Sequence, residues 1–351
     1  MSLAMTLAMR GLSLLGVLLA VLVLLVVVLG ATGFSDGILK AVVNEDIRAM
    51  RTGLAQTIRD PDDLEFALDA QRAELERFYG LDEPWYQRLP DMVRRVITLD
   101  LGEARTLRTF EGSAHVLSLV MERLPYTVLL LTSSMAITAV LGLLIGVKLA
   151  TMVGSKLDRI VSYASAVSYA LPAWWAGILL ILLLAFQLRW LPAGGLYSSP
   201  PPEAGLERFL DLLWHAVLPV LTLVIVSLGS WTYTVRTMVL NTAQEFFVTV
   251  ARAKGLPEGQ VMRRYILRVA APPIATNLVL GLAASLGGAI LTETVFNWPG
   301  MGRLYYEAIL GADESVIVAL TFMFTLLYVA ARFLLEVLYI VLDPRIRYSE
   351  R

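Results

Sequence analysis

Long uncharged apolar runs alternate with short polar segments along this 351-residue chain. The first run, Gly11–Ala31, holds no charge over its 21 residues. At a rise of about 1.5 Å per residue, a helix of that length covers about 30 Å, the hydrocarbon thickness of a bilayer. Five more runs follow: Pro125–Val147, Ile160–Leu188, Leu213–Val235, Ala271–Thr292 and Ser315–Ile340. Only the last holds charged residues, Arg332 and Glu336. Their aliphatic continuity fits helices better than the alternating strands of a membrane barrel. The pattern predicts an all-α polytopic membrane protein with six transmembrane helices and a large extracytoplasmic loop after the first. A cleaved signal peptide competes for the first run. That run is long for a signal, and no small-x-small site follows, which favours an uncleaved anchor.

Lys and Arg in the short loops set the orientation. With the N-terminus inside, the inside segments hold Arg10; Lys148, Lys156 and Arg159; Arg236, Arg252, Lys254, Arg263, Arg264 and Arg268; and Arg345, Arg347 and Arg351. The short outside loops hold only Arg189, Arg208 and Arg303. Both termini are therefore expected in the cytoplasm. The division that follows is an anchor (1–31), an extracytoplasmic helical region (32–124), a five-helix core (125–340) carrying a cytoplasmic loop at 240–268, and a cytoplasmic tail (341–351).

The connecting segments add detail. Asp60-Pro61-Asp62-Asp63 reads as a helix start, with an Asp cap, Pro at the first helical position and acids in the first turn. Leu64, Leu68, Leu75 and Phe78 give that helix one apolar stripe, and Gly80 is its expected stop. Such a region serves equally as a spacer or as a docking surface. Trp190-Leu191-Pro192-Ala193-Gly194-Gly195 and Pro200-Pro201-Pro202 predict irregular chain at the headgroup level. Pro172 should kink the third run just before Trp174-Trp175. Gly142 with Gly146, and Gly281 with Ser285 and Ala289, form small-residue faces suited to close helix packing.

Composition narrows the function. Hydrophobic residues make up 57% and charged residues 17%, against roughly 45–50% and about 25% in soluble domains. Mean hydropathy is +0.68. A formal net charge of -1 offers no basic field for nucleic acid. The absence of cysteine excludes disulfides, cysteine zinc ligands and thiol nucleophiles. His115 and His215 cannot form an all-histidine metal site. No Gly-x4-Gly-Lys-Ser/Thr run occurs, so no ATP site is expected in this chain. Nor do the residues offer a catalytic constellation, so the chain is not expected to be an enzyme.

The longest inside loop is the most informative segment. A short helix is expected over Phe246–Lys254, with Phe246, Phe247, Val250, Ala251 and Ala253 as its apolar members. Gly255 permits positive φ and can end it. Pro257 then starts a second short helix, Glu258–Arg268. From composition alone, a partner-docking helix and a headgroup-level amphipathic segment stand equal.

At these residues the chain resembles binding-protein-dependent ABC transporter permeases, whose coupling loop reads roughly Glu-Ala-Ala, three residues, then Gly. The matching positions are Thr249, Val250, Ala251 and Gly255. Thr249 departs from the general Glu. The peptide and nickel branch often replaces that Glu and ends Ala-Arg-Ala-Lys-Gly, as residues 251–255 do. Other stretches are similar to the same branch: Glu122-Arg123-Leu124-Pro125, Trp190-Leu191-Pro192, His215-Ala216-Val217-Leu218-Pro219, Glu293 through Gly302, and Asp343-Pro344-Arg345-Ile346-Arg347. The resemblance covers about 75–349, includes Gly11–Ala31 in position only, and leaves 32–75 poorly matched.

The resemblance implies a permease subunit of an ATP-driven importer in a bacterial or archaeal cell membrane, moving di- or oligopeptides, or else nickel chelates or oligosaccharides. Its implied partners are a second related permease, two cytoplasmic ATPases that bind ATP and Mg, an extracytoplasmic solute-binding protein, and membrane lipid. Thr249, Val250, Ala251, Arg252, Lys254 and Gly255 become the expected ATPase contact, with Ala251 facing a groove on the ATPase. Pro172, Glu293, Arg332 and Glu336 are candidates for the pathway or a gate; Arg332 and Glu336, four apart, can share a helix face. A self-sufficient secondary transporter or channel would need charged coupling residues in mid-membrane, and the first five runs have none. An intramembrane enzyme would need paired acids, a Ser–His pair or a metal cluster there.

Overall fold

The computed structural model describes residues 3–56, 58–82, 84, 86, 87, 94, 98, 100–203, 205–311 and 313–342. Among these, the elements are helices, and the β content is one isolated bridge between Glu103 and His115. Among the described residues, three helices are long and apolar enough to cross a bilayer, or four if one bent pair is a single crossing. The chain is an all-α, multi-pass membrane protein. It falls into two compact units.

One unit comprises residues 15–120 and 307–325. It holds most of α1 (Leu3–Ala31), then α2 (Phe34–Leu54) and α3 (Pro61–Phe78). As the sequence predicts, Asp60 caps α3: its carboxylate accepts the Asp62 N–H at 2.9 Å, and Pro61 opens the helix. Gly80 follows in the left-handed region at φ 66°. Helices α2 and α3 form a hairpin around Val43, Ile47 and Leu68, with Leu64 and Leu75 packed on that core. Phe78 differs from expectation and stands 80% exposed. Helix α2 was not foreseen, although Leu39, Val43 and Ile47 recur every four residues and all three are buried. The same unit contains an acidic clasp. Asp313 is fully buried, and its carboxylate accepts the Arg105 and Thr106 N–H groups at 2.7 and 2.9 Å.

The other unit comprises residues 1–14, 121–306 and 326–351. Helix α4 (Val116–Ala150) begins nine residues ahead of the predicted run and carries Pro125 inside it. Helix α5 (Lys156–Ala170) and α6 (Ala173–Leu180, continuing as a π-helical stretch Ile181–Gln187) replace the single kinked span, meeting at 102°. The break has a local cause. Leu171 precedes Pro172, and the proline ring drives it into extended conformation, φ -83° and ψ 121°. Pro172 then supplies the carbonyl that starts the next helix, accepting the Ala176 N–H at 3.0 Å.

Helix α7 (Leu206–Ala243) packs against α4 where small residues were predicted to allow it. A Cβ on Gly146 would lie 2.8 Å from the Thr232 carbonyl oxygen and 2.9 Å from Val235 Cβ, so only glycine fits there. After α8 (Phe246–Ala253) comes a turn, Glu258–Gln260, a π-helical stretch, Val261–Ile266, and α9 (Leu267–Val295). The predicted separate helix Glu258–Arg268 is thus the entry to the next long helix. The chain continues in α10 (Met301–Leu310) and α11 (Glu314–Leu342). Asp343–Arg347, one of the resembling stretches, lies outside the described residues.

Candidate functional site

The loop singled out by sequence is a short helix held in place by the helices on either side. Glu245 is extended, and α8 begins at Phe246. It ends at Ala253, Lys254 caps it, and Gly255 takes φ 76° as its stop. A Cβ on Gly255 would meet nothing within 4 Å, so the need for glycine is conformational and not steric. Val248 and Ala251, three apart, are buried and face one cluster with Val235 and Val239 of α7, Val261 and Ile266 of the π stretch, and Ala270 and Ile274 of α9.

This placement corrects one expectation. Ala251 is 2% exposed and packs on its own chain, so its methyl faces no partner groove. Phe246 and Phe247, two of its apolar members, point outward, with Phe246 80% exposed. The face open to a partner carries Phe246, Thr249, Arg252, Lys254 and Gly255, with Val250 half-buried. Arg252 pairs with Glu258 at 2.9 Å across the turn that follows.

A buried ion pair joins α5 to α7. Asp158, near the start of α5, takes two hydrogen bonds from the Arg236 guanidinium, 2.6 Å from Nε and 2.8 Å from Nη2. It also accepts the Gly154 N–H at 2.9 Å. Arg236 lies on α7 within two turns of its C-terminal end, so the pair ties α5 to the helix that leads into α8. Sequence reading missed it. The only available signal was that Asp158 follows Ser155 as an N-cap pair.

The stretch Glu293–Gly302 forms a closed turn. Glu293 is fully buried. Its Oε1 accepts the Thr127 hydroxyl at 2.8 Å, and its Oε2 accepts the Arg303 N–H at 2.9 Å. The Gly302 N–H bonds to it as well. Thr127 Oγ1 in turn accepts the Met301 N–H at 2.7 Å. Together these groups satisfy the first amides of α10, which have no partners within the helix. A Cβ on Gly302 would fall 2.8 Å from Ile290 Cα and 2.9 Å from Glu293 Oε2, so the turn closes only without one. Trp298 Nε1 donates to the Tyr126 carbonyl at 3.1 Å, and Trp298 and Phe296 are fully buried. Gly195 N donates to the Phe296 carbonyl at 2.9 Å, so the loop after Trp190 is fastened to this turn. His215 is buried, with Nδ1 2.9 Å from the Asp211 carbonyl.

The remaining candidates stand apart from these groups. Pro172 is exposed at the α5–α6 break, and Arg332 is exposed on α11. The side chain of Glu336 lies outside the described residues, and its pairing with Arg332 with it. Among the described residues no group of His, Cys, Asp and Glu could hold a metal ion.

The helix-stop loop and the Glu293 turn both fall inside one family match. A profile described as "Binding-protein-dependent transport system inner membrane component" matches residues 139–348. This chain belongs to that family. Among curated relatives of this inner membrane component, the oligopeptide transport system permease protein AppB of Bacillus subtilis (strain 168) is 30% identical over 292 residues, 82% of this chain and 90% of the relative. The di/tripeptide transport system permease protein DppB of Pseudomonas aeruginosa (strain UCBPP-PA14) is 33% identical over 284 residues, 77% and 83% of the two chains. The probable D,D-dipeptide transport system permease protein DdpB of Escherichia coli (strain K12) is 31% identical over 295 residues, 80% and 85%. As an inner membrane component, the chain is a transport subunit.

Proposed function

We propose that this chain is a permease subunit of an ATP-driven importer of di- and oligopeptides. The observation that carries the reading is its membership of the inner-membrane-component family together with relatives named for peptide transport. The chain crosses the membrane six times with both termini in the cytoplasm, and 32–124 lies largely outside. A second related permease completes the path. Two cytoplasmic ATPases bind ATP and Mg and dock on the exposed face of Phe246–Gly255. An outside binding protein delivers the peptide. The charge bias of the short loops supports the orientation.

The helix that docks is short and rigidly seated, which suits it to transmission. Val248 and Ala251 lock it to α7 and α9, so a push from an ATPase moves those long helices and not a floppy loop. Alternation between two arrangements then follows from which one the nucleotide-bound ATPases favour. The test is co-purification from the native membrane. Tagged chain should bring down a second permease and ATPases, and cells lacking the chain should lose uptake of labelled dipeptides. Recovery without any ATPase, or undiminished peptide uptake in the deletion strain, would refute the reading.

A further inference from the structure

Between the turn that follows α8 and the start of α9 the chain makes a π turn, Val261–Ile266. There the Leu267 N–H bonds the Met262 carbonyl, five residues back instead of the four of an α-helix. Such turns are rare, mostly single, and hold one residue more than the α turn they replace. The wide spacing puts Val261 and Ile266 on one face. Both are buried, and they share a cluster with Ala270 and Ile274, which follow Ile266 at the α spacing of four. Arg263 and Arg264 are exposed.

The sequence supplies a second way to fill the seat of Val261. In an α-helix five residues turn through about 500°, which would leave Val261 about 140° from Ile266. Four residues turn through about 400°, which would leave Met262 only about 40° from it. Met262 is apolar and already packs, half-buried, against the same cluster. The core is therefore filled by Val261 in the π register and by Met262 in the α register. The other π stretch, Ile181–Gln187, buries none of its residues and offers no such exchange.

We infer that Val261–Ile266 is a register switch. It passes between π turn and α turn as Val261 and Met262 exchange the seat, and so lets α7 and α8 shift together against α9. The inference rests on the reading that ATPases dock on α8, and adds to it the joint that takes up their push. Only Gln244 and Glu245 separate α7 from α8, so those two helices move as one. One residue released from the π turn into Gly255–Gln260 displaces α8 from α9 by about 1.5 Å, the rise of one residue. Shifts of about 1–2 Å between packed helices are a recurrent form of switching. The joint moves in a step, because a close-packed cluster is filled in either register and poorly filled between them.

The experiment uses the complete complex of this chain, its partner permease and the ATPases, and reads a water-soluble thiol reagent at Val261→Cys and, separately, at Met262→Cys in this cysteine-free chain. One measurement is made without nucleotide and one with ATP trapped by vanadate. In one state the thiol at 261 should react more slowly than that at 262, and in the other state the order should invert, each difference being at least about fivefold. Met262→Asp holds the π register, because a carboxylate cannot take the buried seat without a partner. It should lower peptide uptake at least about tenfold while the complex is recovered in normal yield and still hydrolyses ATP, since a charge at 262 closes only one of the two registers. Deletion of Val261 holds the α register and should have the same effect, whereas Met262→Leu should transport as wild type. The same order of thiol reactivity in both states, or wild-type uptake by Met262→Asp, would overturn the inference and leave the importer reading intact. Should Met262→Asp not assemble, the thiol reactivities decide alone. A wild-type chain that recovers no ATPase would overturn the reading itself.

Discussion

Replacing Glu293 tests whether the turn after α9 is held by its carboxylate. In Glu293→Ala, the amides of Gly302 and Arg303 and the hydroxyl of Thr127 lose their acceptor in a site without exposed surface. Each orphaned buried donor costs about 1–3 kcal/mol, and the void left by the side chain adds more. The local cost is at least about 3 kcal/mol, which raises the open population of the turn by a factor of about 100 or more. Glu293→Gln is the informative partner. Its carbonyl oxygen can still accept the two amides, and its NH2 can face Thr127 Oγ1, at the loss of the Thr127 donation. That costs about 1 kcal/mol, roughly a fivefold increase in opening. Hydrogen exchange of the Met301, Gly302 and Arg303 amides in purified protein reads both values. Exchange in Glu293→Ala as slow as in wild type would refute the assignment of Glu293 as the cap of α10.

Further outcomes follow from the same geometry. Gly255→Val should weaken recovery of the ATPases by about 5- to 30-fold, because a left-handed residue with a branched side chain costs about 1–2 kcal/mol or more, and Gly255→Asn should be nearer to wild type; equal recovery would contradict the helix-stop role. Ala251→Leu should destabilise the chain itself by about 1–3 kcal/mol, read as a lowered melting temperature before any ATPase is added, since Ala251 is packed internally. Asp158→Asn should cost about 3–5 kcal/mol by leaving the Arg236 guanidinium without its buried partner, and Asp158→Leu combined with Arg236→Met should recover much of it; an unchanged melting temperature in the single variant would refute the lock. In this cysteine-free chain, Ala70→Cys and Glu203→Cys should react with an impermeant thiol reagent in intact cells while Lys156→Cys and Lys254→Cys should not, and labelling at 254 would overturn the orientation.

What the sequence made legible was local. Asp60-Pro61 announces α3 because cap and first turn are neighbours, and Gly255 announces the end of α8 because a helix stop needs one residue. Pro172 marked a bend, but its size came from Leu171, whose extended conformation sends α6 off at 102°. The sidedness of α8 was misread for a tertiary reason. In an eight-residue helix the hydrophobic residues lie nearly all round, and only the approach of α7 and α9 selects Val248 and Ala251 for burial over Phe246 and Phe247. Glu293 resembled part of a signature, yet its acceptor role depends on Thr127, 166 residues away. The Asp158–Arg236 pair, 78 residues apart, left no local trace for the same reason. Helix α2 has its signal in Leu39, Val43 and Ile47, a narrow apolar stripe on an otherwise polar segment.

The most direct measurement of the central claim is peptide uptake into proteoliposomes carrying this chain, its partner permease and the ATPases, supplied with the binding protein. The account predicts uptake that requires ATP, Mg and the ATPases together, and that falls with Gly255→Val in step with lost ATPase docking. Uptake by this chain alone, driven by an ion gradient and indifferent to ATP, would contradict it.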